Sequence, residues 1–232
     1  MKFLFRFCIV TLSVFLVSAS SFAQSFEGTI SMEVSSQSMG DKPIPMTIST
    51  KGDKSAIQID APQGSMTMIM DRSTDKMTMI MAAQKMGMEM DMKKMEEKAG
   101  KSESKSEVKE TDERKMINGY NCRLFIVTSE KAGASNWWMT KDLPKSMISA
   151  LKSAYKHGSM GMMRGKSTNN HEIEELFEKG WLPIRMEMNK DGKSESSLTF
   201  LKYEQKSLDD SIFAIPTDIK IMQMPAGMGG GQ

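Results

Sequence analysis

Cysteine is scarce: two in 232 residues, and Cys8 lies in the apolar start of the chain. Histidine is equally scarce, with His157 and His171 alone, each at an expected helix boundary. Aromatic residues make up 7% of the chain, and neither charge dominates, with 31 basic against 29 acidic residues. No apolar run reaches membrane-spanning length. Each shortage excludes something. Cys122 alone has no intramolecular disulfide partner and no Cys pair for redox or zinc chemistry. The stretch "HEIEE" lacks the second histidine of a zinc-protease helix, and neither a Gly-x-Ser-x-Gly elbow nor a phosphate loop is present. A balanced charge argues against nucleic acid or an anionic membrane surface as partner. The expectation is a protein that is not an enzyme and carries no organic cofactor.

The first residues read as a leader. Lys2 and Arg6 precede an apolar run, Phe7 to Val17, and Ser21-Phe22-Ala23 offers small residues where a signal peptidase cuts. Cleavage after Ala23 leaves about 209 residues, enough for one core. It also makes the charge balance even, since both residues lost from the charge count are basic. This predicts a signal peptide over 1–23, export to the periplasm and no transmembrane segment in the mature chain. A single β-rich domain is expected over 24–222, with a disordered Gly-rich tail over 223–232.

What the chain has in abundance is methionine, 26 residues of it. Period-two alternation in "FEGTISMEVSS", "IPMTISTKG" and "SAIQID" predicts strands. "MTMIMDRSTDKMTMIM" then writes one pentapeptide twice. On strands, Met66, Met68 and Met70 share a face, as do Met77, Met79 and Met81. A symmetric hairpin sets Met66 against Met81, Met68 against Met79 and Met70 against Met77. The next run adds Met86, Met88, Met90 and Met92, with Gly87, Glu89 and Asp91 opposite, which predicts that the opposite face is wet.

From 93 to 115 nearly every residue is charged or Ser, and this predicts a mobile loop over most of the stretch, with a transient helical turn at its start. "INGYNCRLFIV" resumes as a strand after an Asn118-Gly119 turn, with Cys122 buried at its head. In "SNWWMTKD" the two tryptophans point to opposite faces, and Trp138 is the candidate for a ligand rim. The spacing of Met147, Ile148, Leu151, Ala154 and Tyr155 predicts a helix. A second follows over "HEIEELFEKG", ended by Gly180, and then a hairpin around Lys190-Asp191-Gly192. The expected fold is α+β: an antiparallel, strongly curved sheet, a half-barrel or open barrel, with two short helices over one face.

Fully burying a Met is worth about 1.5–3 kcal/mol, so drying the six hairpin methionines contributes about 9–18 kcal/mol. Something must cover such a face. The plain reading is packing beneath the chain's own helices. Yet Met specifies a core poorly and repacks easily around variable partners. An apolar or lipid-like ligand, or an envelope protein, is then the expected occupant of Met66, Met68, Met70, Met77, Met79, Met81, Met88, Met90 and Trp138. A sharper alternative is Cu(I), which soft thioethers suit. Met68, Met70 and Met77 are one candidate set, and the mobile clusters Met160, Met162, Met163 and Met222, Met224, Met228 are others.

Taken together, "FEGTISMEV", "IMDRSTDKMTMIM", "INGYNCRLFIV", "WWMTKDLP", "GWLPIRMEM" and "SIFAIPTDIK" resemble the exported bacterial family called domain of unknown function 4412. The strand pattern is also distantly similar to the outer-membrane lipoprotein carrier. That second resemblance implies a half-barrel with an apolar groove under its helices.

Overall fold

The computed structural model describes residues 26–37, 42–62, 64–99, 106–129, 133–157, 171–190 and 193–223. The leader, the Gly-rich tail beyond 223 and the candidates Met160, Met162, Met163, Met224 and Met228 lie outside the described residues.

Six strands open the fold: β1 (Gly28–Ser36), β2 (Ile44–Lys51), β3 (Lys54–Ala61), β4 (Gly64–Asp71), β5 (Lys76–Met81) and β6 (Met86–Asp91). Helix α1 (Met92–Ala99) leads to β7 (Ser106–Ile117), β8 (Tyr120–Ser129) and β9 (Gly133–Thr140). Helices α2 (Met147–His157) and α3 (His171–Glu178) precede β10 (Leu182–Lys190), β11 (Lys193–Gln205) and β12 (Lys220–Gln223). All strands join one 12-stranded sheet in the order β12-β6-β5-β4-β3-β2-β1-β11-β10-β9-β8-β7. It consists of two antiparallel meanders, β1–β6 and β7–β11, joined where β1 pairs with β11. The terminal strands β12 and β7 do not pair, so the sheet is open.

Three expectations need correction. The charged stretch 93–115 is not a loop throughout: its start lies in α1 and Ser106 onward in β7. Strand β7 lies at the sheet's edge and pairs with β8 alone, so its charges stay in water while its backbone joins the ladder. The helices number three, not two, among the described residues. The sheet is also not wholly antiparallel, since β12 runs parallel to β6.

Local chemistry explains the turns. Asn118 and Gly119 both take positive φ, 48° and 83°, as a two-residue hairpin between β7 and β8 demands. Helix α3 ends at Gly180, φ 83°. There Trp181 N–H donates to the Leu176 carbonyl and Gly180 N–H to that of Phe177, satisfying carbonyls the helix leaves open.

The main core unites the sheet's inner face (Ile30, Met32, Ile48, Ile57, Trp137, Phe200) with Met147 and Leu151 of α2 and Ile173 and Phe177 of α3. Cys122 is fully buried within it, as its strand context predicts. A smaller cluster lies on the other face: Ala56, Ile69 and Ile80 under Leu208, Phe213 and Ile219. The segment after β11 crosses this face as a strap. Lys51 Nζ fixes it by donating to the Leu208 carbonyl at 2.8 Å and pairing with Asp210 at 2.9 Å. The face opposite the methionines is therefore part dry, contrary to the reading from Glu89 and Asp91.

Candidate functional site: a graded methionine face

The hairpin turn sets the register of the methionines. Asp71 accepts hydrogen bonds from Ser73 N–H at 2.9 Å and Ser73 Oγ at 2.6 Å, and Asp75 takes φ 54°. The Ser73 hydroxyl holds the Asp71 carboxyl below the ordinary carboxylate range. Asp71 then faces Lys76, and the symmetric pairs follow: Met70 with Met77, Met68 with Met79, Met66 with Met81. Strand β6 extends them with Met90, Met88 and Met86 respectively.

The result is three rows of side chains running across the strands. The first passes from Met32 through Met46, Ile59, Met66 and Met81 to Met86. The second runs Ile30, Ile48, Ile57, Met68, Met79, Met88. The third joins Thr50, Ser55, Met70, Met77 and Met90.

Strand β12 lengthens the second row by one more thioether. Met222 is the register partner of Met88. Ile221 lies on the far face, because a Cβ on Gly87 would meet its side chain. Alternation along β12 therefore puts Met222 on the methionine face. Sequence spacing had grouped Met222 with the tail instead. The visible signal was the alternation of "IKIM", but nothing local named β6 as its partner.

Burial along this face is graded. Met68, Met70 and Met77 are 1%, 2% and 1% exposed, and Met92 closes their end of the rows. Met66, Met79, Met81, Met86, Met88 and Met90 are half-buried, and Met222 is 39% exposed. Met68, Met70 and Met77 share one core with Met147 and Leu151 of α2 and Ile173 and Phe177 of α3, α1 contacts β6, and α3 lies against α2 and β7, where the Val108 N–H donates to Glu172 at 2.6 Å.

Trp138 does not join this face. Trp137 is buried beside Phe125 and Met186, its indole N–H donating to Ser135 Oγ at 3.0 Å. Trp138 points the other way, between Leu124 and Arg185, with Lys115 Nζ 5.8 Å from its ring centroid.

Among the described residues the other reactive side chains are not gathered into a site. Cys122 Sγ lies 3.5 Å from the Tyr120 carbonyl, and burial pushes its thiol up to about 11. His171 is a surface residue, its Nδ1 3.1 Å from Glu175 one turn along α3. Among the described residues no group of three or more His, Cys, Asp or Glu is placed to hold a metal ion. No helix among them is long and apolar enough to cross a membrane.

The fold and this face define an open, mainly antiparallel β-sheet protein with short helices and an apolar stripe. The chain belongs to the family described as domain of unknown function DUF4412, whose profile matches residues 26–219. An uncharacterized conserved protein from Thermus thermophilus is similar in structure, with TM-score 0.54 and 6% identity, over 87% of this chain and 92% of that one. MucB aligns with TM-score 0.40 and 10% identity, over 84% of this chain and 58% of that one. A LolA superfamily protein from Nitrosomonas europaea aligns with TM-score 0.32 and 11% identity, over 82% and 90%. No curated protein matches the sequence.

Proposed function

We propose that this chain is a non-catalytic binding protein of the periplasm, acting after loss of residues 1–23. Its ligand is apolar and lipid-like, held on the open part of the methionine face. The observation that carries this reading is the gradient itself. The first row is dry at Met32 and Met46 and partly open at Met66, Met81 and Met86, and the second is dry at Met68 and partly open at Met79 and Met88. A stripe meant purely for packing has no reason to stop half covered, and flexible thioethers suit acyl chains of differing shape.

The sheet is read here as a half-barrel. Support comes from Asn118, at the β7–β8 turn, whose Nδ2 donates to the Phe200 carbonyl of β11 at 2.7 Å. Three strand spacings separate β8 from β11, about 14 Å in a flat sheet. Register shifts in four of the strand pairs supply the local kinks such curling needs. Absence of catalysis is supported by a buried, protonated Cys122 and a surface His171.

Titration of a fluorescent fatty-acid probe into the protein tests the proposal. Saturable binding is expected, and Met79→Glu with Met88→Glu should weaken it at least about tenfold. Equal affinity in a doubly substituted protein that keeps its circular dichroism spectrum would overturn it.

A further inference from the structure

The second row changes chemistry partway along. On β1, β2 and β3 it is built from Ile30, Ile48 and Ile57, the β-branched residues that strands favour. From β4 onward it is all thioether: Met68, Met79, Met88 and Met222. Packing alone does not ask for that change, since Ile fills a strand face with less entropy lost on ordering. A requirement for soft donor atoms does.

We propose that Met79, Met88 and Met222, side by side on β5, β6 and β12, form a thioether site for one soft monovalent metal ion of the Cu(I) class. Neighbouring strands lie about 4.7–4.9 Å apart, and each Met has three free torsions with which to bring its sulfur toward a shared centre. This differs from Met residues two apart on one strand, whose side chains stand about 6.5–7 Å apart. The donor set excludes hard cations. Glu89 points to the opposite face, where it pairs with Lys76 at 2.9 Å. Only sulfur is offered by the three site residues, and thioether sulfur selects Cu(I) over magnesium, calcium or manganese.

Access favours these three over the set the sequence suggested. Met68, Met70 and Met77 are at most 2% exposed. Met79 and Met88 are half-buried and Met222 is 39% exposed, at the sheet's edge. Lys220 lies on the same face one row away, beside Met86, and is solvent-exposed, so its long stem can carry the ammonium clear of the sulfurs. The site does not depend on the lipid proposal. Met→Leu keeps the face apolar while removing the donors, so either reading can fail without the other.

The test is NMR of protein labelled with methyl-13C methionine, titrated with Ag(I) as a diamagnetic probe and then with Cu(I) under reducing, anaerobic conditions. The methyl resonances of Met79, Met88 and Met222 should move together and saturate at a single equivalent. The combined Met79→Leu, Met88→Leu and Met222→Leu variant should bind one ion fewer while keeping the circular dichroism spectrum of the parent protein. The site is overturned if those three resonances stay fixed, whether or not others move, or if the Leu variant keeps its full metal complement.

Discussion

Gly87 of β6 and Ile221 of β12 touch so closely that a Cβ on Gly87 would fall 2.6 Å from Ile221 Cδ1 and 3.2 Å from Ile219 Cγ2. The absence of a side chain at 87 is what lets the strap lie against the sheet and β12 join its edge. Ala at 87 meets the mobile end of Ile221, which a rotamer change can relieve. Val at 87 adds branches that also crowd Ile219 and the Met79 carbonyl, itself 3.3 Å from that Cβ. Gly87→Val is expected to destabilise the protein by about 1–3 kcal/mol, the usual range for overpacking. It should also release β12, seen as faster hydrogen exchange at 220–223. A Val variant with unchanged exchange there would show that β12 does not depend on Gly87.

The burial gradient makes a second prediction, about stability rather than binding. Met68→Ala removes a side chain 1% exposed in the main core, and about 2–5 kcal/mol should be lost. Met88→Ala removes a half-buried one, and the loss should be under about 1 kcal/mol, since little packing surrounds it. Urea denaturation of both variants measures the difference. Equal losses would mean that the open part of the face is as tightly packed as the closed part.

Cys122 should behave as an inert, proton-holding thiol. Burial, reinforced by the charge of Asp142, raises it from 9.0 to about 11. A raised pKa means that the folded state holds this proton more tightly than the unfolded chain does. The stabilising contribution is complete below pH 9 and is lost as pH rises through about 11. Cys122→Ala should therefore flatten the fall in melting temperature across that window. Alkylation at pH 8, followed at the peptide carrying Cys122, should be negligible until the protein unfolds. Rapid labelling in the folded protein would contradict this burial.

Local signals were legible in the sequence, and distant pairings were not. The methionine register could be read because "MTMIM" is symmetric about a six-residue turn, so alternation and turn chemistry agree on one answer. Asn118-Gly119 and Gly180 carried their turns in their own conformational preferences. The strap had no such signal. Leu208, Phe213 and Ile219 look like scattered apolar residues until Ala56, Ile69 and Ile80 are known to lie beneath them. That is why Glu89 and Asp91 gave too wet a picture of their face, and why Met222 was assigned to the tail.

The charged stretch carries the last prediction, because its misreading has a physical cause. A stretch this charged buries little apolar surface, but an edge strand need bury only its backbone bonds. Strand β7 pairs with β8 from Ser106 to Ile117, across a register shift between Glu110 and Arg114, and Glu110 bonds Arg123 of β8. Glu107, Lys109, Glu113 and Lys115 are exposed. Charges, an irregularity and the Glu172 side chain capping Val108 N–H are the devices that keep an open edge from pairing with another chain. Replacing Lys109, Glu113 and Lys115 together with Val should therefore raise light scattering and apparent mass at a given concentration. Charge reversal at the same positions should leave both unchanged. If the Val variant scatters like the parent protein while amides 106–117 stay slow to exchange, the edge is guarded by something other than its charges. Fast exchange across those amides in the parent protein would mean instead that the stretch does not hold the strand.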